Sequence, residues 1–164
     1  MKGMIDCGLT VVGALLLLLL PPAVAGQGEE ERWHGQARRL LARGEAARAL
    51  AVIDRHLADR PDHGPALVLK GFALLRLDRA GEARAIALRA TAAGGGGDAW
   101  AVLAAAALGS GDPAQALAAA VEAIELGRGE AQLYGIGGRA LLAQGRNLEA
   151  VGWLRQATLL APAD

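Results

Sequence analysis

The feature that most constrains the fold is a pair of periodic apolar segments at the C-terminal end of the sequence. Apolar residues recur at helical spacing within 133–143, and a second run with the same spacing covers 148–160. Gly145 separates the two runs, and glycine readily adopts the positive φ that ends a helix. Pro162 then disfavours a longer second helix. Residues 131–164 are therefore predicted to form two short helices joined by a tight turn.

Two adjacent glycines, Gly137 and Gly138, interrupt the first of these helices. Each glycine inside a helix costs roughly 1 kcal/mol relative to alanine. That cost is tolerable where a neighbouring helix must come very close. The pair therefore predicts a close contact between helices in this segment.

The same pattern recurs in phase along most of the chain, in copies covering residues 30–63, 64–96, 97–130 and 131–164. The turn position of these copies holds Gly44, Asp78, Gly111 and Gly145 in that order. One match would be weak evidence, whereas four copies in phase indicate a tandem repeat. A run of four glycines, 94–97, joins the second copy to the third. We expect a flexible joint and a subdomain boundary there.

The last copy resembles a tetratricopeptide repeat, a pattern of roughly 34 residues with small and large apolar residues at set places. The residues at those places are Tyr134, Gly137, Gly138, Leu141, Gly145, Ala150, Leu154, Ala157 and Pro162. Two depart from the family pattern, because leucine is usual at Gly137 and tyrosine at Leu141. The resemblance implies an all-α superhelix (an α-solenoid) of helix-turn-helix repeats, in which the first helix of each repeat lines a groove. Since no such repeat can bury its apolar stripe alone, neighbouring repeats must cooperate.

Residues 1–25 have the three parts of a secretory signal peptide. Lys2 precedes the continuous apolar run Val11–Leu20, and Ala23-Val24-Ala25 is a small-x-small cleavage motif. We expect cleavage after Ala25, export and a periplasmic location. An uncleaved N-terminal membrane anchor is the alternative, but the apolar run is shorter than the ~20 residues that a span needs.

The processed chain offers few chemical groups beyond its helices. Residues 26–29 form a polar lead-in, and the first helix is expected to begin near Glu30. The single cysteine, Cys7, lies in the signal segment, so neither a disulfide nor thiol chemistry is expected after cleavage. Seventeen basic and seventeen acidic residues give a net charge of zero, which argues against nucleic-acid binding. No membrane span is expected in the processed protein.

Catalysis requires converging titratable or metal-binding groups, and the sequence shows no recognisable set. The histidines are His34, His56 and His63, and their spacing matches no metal-ligand motif. The glycine run 94–97 has no following lysine, so a phosphate-binding loop is disfavoured. We therefore predict no enzymatic activity, no metal and no cofactor. An enzyme that uses His56 and His63 is the least favoured alternative.

The resemblance implies a partner-binding groove lined by the inner positions of the first helices. Those positions are His34, Arg38, Leu41, Val68, Phe72, Leu75, Arg76, Ala101, Ala105, Leu108, Gly135, Arg139 and Leu142. The lining is apolar with three arginines, and it lacks the asparagine–lysine set with which some members of the family hold a C-terminal carboxylate. A peptide with apolar anchors and an acidic group fits it better. The alternative is that Phe72 and the leucines only pack between helices.

A second candidate surface lies at the C-terminal end. Arrays of this family usually carry a polar capping helix, whereas this chain stops at Asp164. We expect the following residues to stay partly exposed and to form an interface: Val151, Trp153, Leu154 and Thr158. Arginines outnumber acids in the first two copies and acids outnumber bases in the last two, a pattern that would suit association of two copies head to tail.

Taken with the resemblance, these features predict a non-catalytic scaffold that binds a protein or peptide partner in the cell envelope, such as a subunit of an envelope assembly. The alternative is a structural subunit that self-assembles into an oligomer through its C-terminal repeat.

Overall fold

The computed structural model describes residues 23–161. Most of the predicted signal peptide, with Cys7, lies outside these residues, as do Pro162 and Asp164. The described part forms eight α-helices and contains no strand. The helices are α1 (Ala23–Ala42), α2 (Ala46–Asp59), α3 (Gly64–Arg76), α4 (Ala80–Ala92), α5 (Gly96–Gly109), α6 (Pro113–Glu125), α7 (Ala131–Ala143) and α8 (Asn147–Leu160). The predicted all-α class is therefore confirmed.

Helix α1 begins earlier than the sequence predicts. Its first residue is Ala23 rather than one near Glu30, so the polar lead-in 26–29 is helical. No proline occurs within α1, and three consecutive glutamates in this stretch are good helix formers. The chain divides into a unit Met1–Arg32 and a unit Trp33–Asp164. The rest of the structural description concerns the second unit.

The four turns inside the repeats share one backbone geometry. The turn residues have positive φ, at 78° for Gly44, 56° for Asp78, 81° for Gly111 and 74° for Gly145. In each turn the amide of the following residue donates to a carbonyl five residues earlier, as in Glu45 N–H to Leu40 O at 2.9 Å. This is the bond that closes a Schellman helix end, so each turn ends the first helix and reverses the chain.

The core of this unit is built mainly from small side chains. Most of the fully buried residues are alanines, and the largest buried side chains are leucine, isoleucine and valine. First helices of consecutive repeats touch each other, because α3 contacts α5 and α5 contacts α7. Such close approach needs small residues, and a β-carbon added to Gly71 would lie 2.5 Å from Val102 Cγ1.

The glycine run 94–97 is a tight turn inside a continuous core. Leu67, Val68 and Ala90 before the run share one apolar cluster with Ala99 and Val102 after it. Gly95 is packed so closely that a β-carbon would lie 2.8 Å from Ala90 O. The predicted subdomain boundary is therefore wrong, since side chains from both repeats interlock across the joint.

Polar side chains connect successive second helices. The Arg84 guanidinium donates to Asp112 Oδ2 at 2.8 Å, and Gln144 Nε2 donates to the Pro113 carbonyl at 3.0 Å. Arg89 reaches the Pro61 carbonyl at 2.8 Å. These bonds join α4 to the start of α6, the α7–α8 turn to the start of α6, and α4 to the α2–α3 loop. Among the described helices, none combines the length and the apolar character that crossing a membrane requires.

Candidate partner-binding groove

Two adjoining cavities run along the first helices of the four repeats. The larger has a volume of about 620 Å³ and is lined by α1, α3, the start of α5 and the α6–α7 loop. The smaller, of about 360 Å³, is lined by α3, α5, α7 and the same loop. Phe72 and Arg128 border both cavities. The two cavities therefore form one groove, named here the first-helix groove.

Most of the predicted groove residues line these cavities. His34, Arg38, Leu41, Val68 and Phe72 border the larger cavity. The smaller cavity is bordered by Phe72 again, with Leu75, Arg76, Ala101 and Ala105. On α1 and on α3 these residues share one face of the helix, as the resemblance implied.

Four predicted residues line neither cavity: Leu108, Gly135, Arg139 and Leu142. In α7 the groove is lined instead by Gln132, Leu133 and Ile136, which lie in the first half of that helix. Leu108 is in the last turn of α5 and is partly buried against the core. The groove therefore stops short of the last turn of α5 and follows the N-terminal half of α7.

Phe72 is the main apolar feature of the groove. Its side chain is 37% exposed although it lies between the two cavities. Val68, one turn earlier on α3, is buried and continues the apolar surface. The ring therefore packs partly against its neighbours and leaves part of its surface open to the groove.

The charges of the groove are unevenly satisfied. Arg128 forms ion pairs with Asp98 and, at 3.2 Å, with Glu130, while its Nε is buried without a hydrogen-bond partner among the described residues. Arg38 and Arg76 form no hydrogen bond or ion pair with any residue in the described range. Arg128 is thus engaged by two groove acids, whereas the guanidinium groups of Arg38 and Arg76 remain available to an acidic partner.

The sequence pattern did not indicate that Arg128, Asp98 and Glu130 border the groove. Arg128 lies in the α6–α7 loop between Gly127, whose φ is 88°, and Gly129. A lone charged residue between two loop glycines, outside the repeat pattern, is the signal that could have located it.

The histidines do not form a metal site within the described part of the chain, where no group of three or more metal-binding side chains occurs. His56 Nε2 and His63 Nδ1 are instead hydrogen bonded to each other at 3.1 Å. Burial lowers the pKa of His56, an effect that Asp59 opposes. Burial, His56 and Arg60 all lower the pKa of His63. Both rings thus favour the neutral form in the folded protein.

Helix α8 exposes a line of apolar residues. Leu148, Val151 and Leu159 are 92%, 65% and 69% exposed and lie on one face with Arg155. We call these four residues the α8 stripe.

Only two of the four residues predicted to form a C-terminal interface are exposed. Val151 and Thr158 are exposed, whereas Trp153 and Leu154 are half-buried against Gly137 and Gly138.

Ion pairs engage several of the acids in the last two repeats. Asp98, Asp112, Glu130 and Glu149 each pair with an arginine of the same chain. Three arginines thus engage four of these acids, and only the Arg84–Asp112 pair joins the second copy to the third.

Comparison with solved structures identifies the fold of this chain. No protein-family model and no curated protein matches the sequence. Among solved structures, residues 41 to the end of MamA from Desulfovibrio magneticus RS-1 align with a TM-score of 0.69 and 23% identity, over 79% of this chain and 74% of that one. YrrB, described as a TPR protein with an unusual peptide-binding site, aligns with a TM-score of 0.67 and 24% identity, over 79% of this chain and 68% of that one. The chain therefore has the fold of the tetratricopeptide-repeat proteins.

Proposed function

We propose that the protein is a non-catalytic scaffold that binds a segment of a partner protein in the first-helix groove. The observation that carries the proposal is Phe72, which is exposed at the junction of two cavities that the first helices line. The tetratricopeptide-repeat fold supports a role in protein interaction in general. The peptide-binding site named for YrrB agrees with a role for such a fold in holding peptides.

The groove chemistry defines the class of partner. Leu41, Leu69 and Leu75 offer apolar contact on both sides of Phe72. Arg38 and Arg76 offer planar guanidinium groups, which bind carboxylates through two parallel hydrogen bonds. The expected ligand is a segment with apolar side chains and at least one aspartate or glutamate. Placement in the cell envelope follows from the signal-peptide features of residues 1–25 and is part of the proposal.

A photo-crosslinking amino acid at position 72 tests the groove in intact cells. The matched control is position 88, because Leu88 is 45% exposed on α4 and borders neither cavity. We expect a defined crosslinked protein from position 72 and none from position 88. Equal products at both positions, or none at position 72, would overturn the groove assignment.

Export is tested separately by cell fractionation and by the mass of the purified protein. A periplasmic protein that begins at Gly26 is expected. An intact N-terminus in the membrane fraction would favour the anchored alternative.

The exposed α8 stripe favours a second candidate function, self-assembly into an oligomer. Val151→Asp would place a charge within the stripe without opening the core, since Val151 is exposed. If the stripe mediates assembly, the mass of the wild-type protein in solution rises with concentration and this variant is monomeric. Leu88→Asp, on another exposed apolar residue, should behave like the wild type. A monomeric wild-type protein at every concentration removes this candidate.

A further inference from the structure

Four aromatic rings meet where α1, the end of α2 and the start of α3 come together. Trp33 of α1 stacks on His56 of α2 with ring centroids 4.0 Å apart. His63, the residue that precedes α3, meets Trp33 edge-on at 5.6 Å and His56 at 4.8 Å. His34 meets the other side of the cluster at 5.5 Å from Trp33. The first repeat and the start of the second are thus joined through one group of rings.

The bond at the centre of the cluster limits how many protons the cluster can carry. His56 Nε2 and His63 Nδ1 are 3.1 Å apart, so one nitrogen must donate and the other must accept. A single added proton preserves this bond, because a cationic ring can donate to a neutral one. A second proton removes the acceptor and leaves two cationic rings in contact. The geometry is therefore compatible with at most one net positive charge.

The surrounding charges add to this limit. Asp59, on α2, faces His56 and favours its cationic form. Arg60, at the end of α2, disfavours a proton on His63. From α1, the titratable group in the cluster is His34, whose ring meets Trp33. Two further neighbours are engaged elsewhere, because Asp62 pairs with Arg89 and Lys70 with Asp54. The first proton therefore belongs at His56 and the second at His63.

The Trp33 indole makes the closed cluster easier to open. Trp33 Nε1 is buried and has no hydrogen-bond partner among the described residues. An unsatisfied buried donor carries a desolvation cost that contact with water would remove. Exposure of Trp33 would thus recover a hydrogen bond that the closed cluster lacks.

We propose that the His56–His63 pair is an acid-sensitive latch, which holds α1 against the α2–α3 junction and opens when both rings are protonated. The sign of the pH dependence follows from proton binding. In the folded state His56 and His63 bind protons less readily than in the unfolded chain, where histidine has its ordinary pKa of 6.5. Stability from the latch is therefore fully present above pH 6.5 and is lost as the pH falls through the lowered pKa values of the pair.

The latch also affects one wall of the first-helix groove. His34 belongs to the ring cluster and lines the larger cavity together with Arg38 and Leu41 of α1. Release of α1 in acid would open that end of the groove. This consequence alone rests on the proposed function, whereas the latch itself needs no ligand.

Histidine NMR of the full-length chain tests the latch directly, because the sequence contains only three histidines. We expect His56 and His63 to titrate below the ordinary value in two coupled steps rather than independently. The second step should coincide with a shift of the Trp33 indole N–H signal and faster amide exchange in α1 than in α7. His63→Asn should abolish that shift, and His34→Gln should retain it.

Two results would overturn the proposal. One is independent titration of His56 and His63 at the ordinary value. The other is a coupled titration that leaves the Trp33 signal and α1 exchange unchanged, because the pair would then be structural only. Both results are read from the wild-type chain, so they decide the matter even if a variant fails to fold. If the groove bound no partner, the proposed function would fail but the titration of His56 and His63 would be unchanged. The two proposals can therefore fail independently.

Discussion

Gly137 lies directly against the six-membered ring of Trp153, and a β-carbon at Gly137 would overlap Cε3 and Cζ3 of that ring. The next residue repeats the arrangement, since a β-carbon at Gly138 would lie 2.7 Å from Leu154 Cδ2. The paired glycines of α7 thus allow α8 to approach closely, as the sequence predicted. The contact holds the last repeat together, because Ala150 is the only fully buried residue of α8 in the described range.

Substitution of Gly137 should measure how much this contact contributes to the free energy of unfolding. Gly137→Ala gains up to about 1 kcal/mol in helix propensity. It also overpacks the Trp153 contact, which typically costs about 1–3 kcal/mol. We expect a net loss of stability in urea unfolding followed by tryptophan fluorescence. Gly135→Ala, on the same helix with open space around it, is the control and should gain about 0.5–1 kcal/mol. Equal effects of the two changes would show that the ring can move aside.

The Asp78 turn offers a stabilising change. Its φ of 56° lies in the left-handed region, where side chains other than glycine cost about 1–2 kcal/mol and aspartate somewhat less. Asp78→Gly also lowers the free energy of unfolding by about 0.4–1 kcal/mol, because glycine gives the unfolded chain more conformational freedom. We expect a small net gain, up to about 1 kcal/mol, and a loss for Asp78→Val, both read from the urea midpoint. A lower midpoint for Asp78→Gly would mean that the aspartate side chain stabilises the turn.

The start of α6 depends on Asp112 in two ways. Its carboxylate accepts from the Gln115 amide at 3.0 Å as a helix cap and pairs with Arg84 at 2.8 Å. Loss of a cap costs typically about 1 kcal/mol, and partly exposed ion pairs contribute about 0–1 kcal/mol. Asp112→Ala should therefore lower the unfolding free energy by about 1–2 kcal/mol. Asp112→Asn, which keeps a capping oxygen, should lose less than half as much. A similar loss in both variants would assign the effect to the ion pair.

The arginines of the groove should govern the affinity for the captured partner segment. Removal of one hydrogen bond to a charged group costs about 1.5–3 kcal/mol, so Arg38→Ala or Arg76→Ala should weaken binding roughly tenfold or more. The affinity should also fall with added salt. Arg55→Ala, on the exposed side of α2, is the matched control and should bind as the wild type does. Calorimetry with the partner segment measures the affinity of all three variants. Unchanged affinity in Arg38→Ala and Arg76→Ala would exclude a role for these arginines.

Helical periodicity accounts for the features that the sequence predicted well. The spacing of apolar residues defines helix pairs, and positive φ at Gly44, Gly111 and Gly145 explains their turns. These features depend on residues near one another in the chain, so local conformational preference is enough to reveal them. The resemblance to tetratricopeptide repeats, rather than periodicity, implied that Val68 and Phe72 line a groove, and both border the larger cavity.

Other features depend on contacts between distant residues or between segments that only the packed repeats bring together. Arg128 reaches Asp98 across an entire repeat, and Trp33 meets His56 only because α1 packs on the end of α2.

The sequence alone therefore determined the repeat, its helices and its turns, since each follows from neighbouring residues. Tertiary structure decided which arginines stay unpaired, which histidines share a proton and how closely α7 and α8 approach. Those properties are set by side chains that meet only after the repeats have stacked.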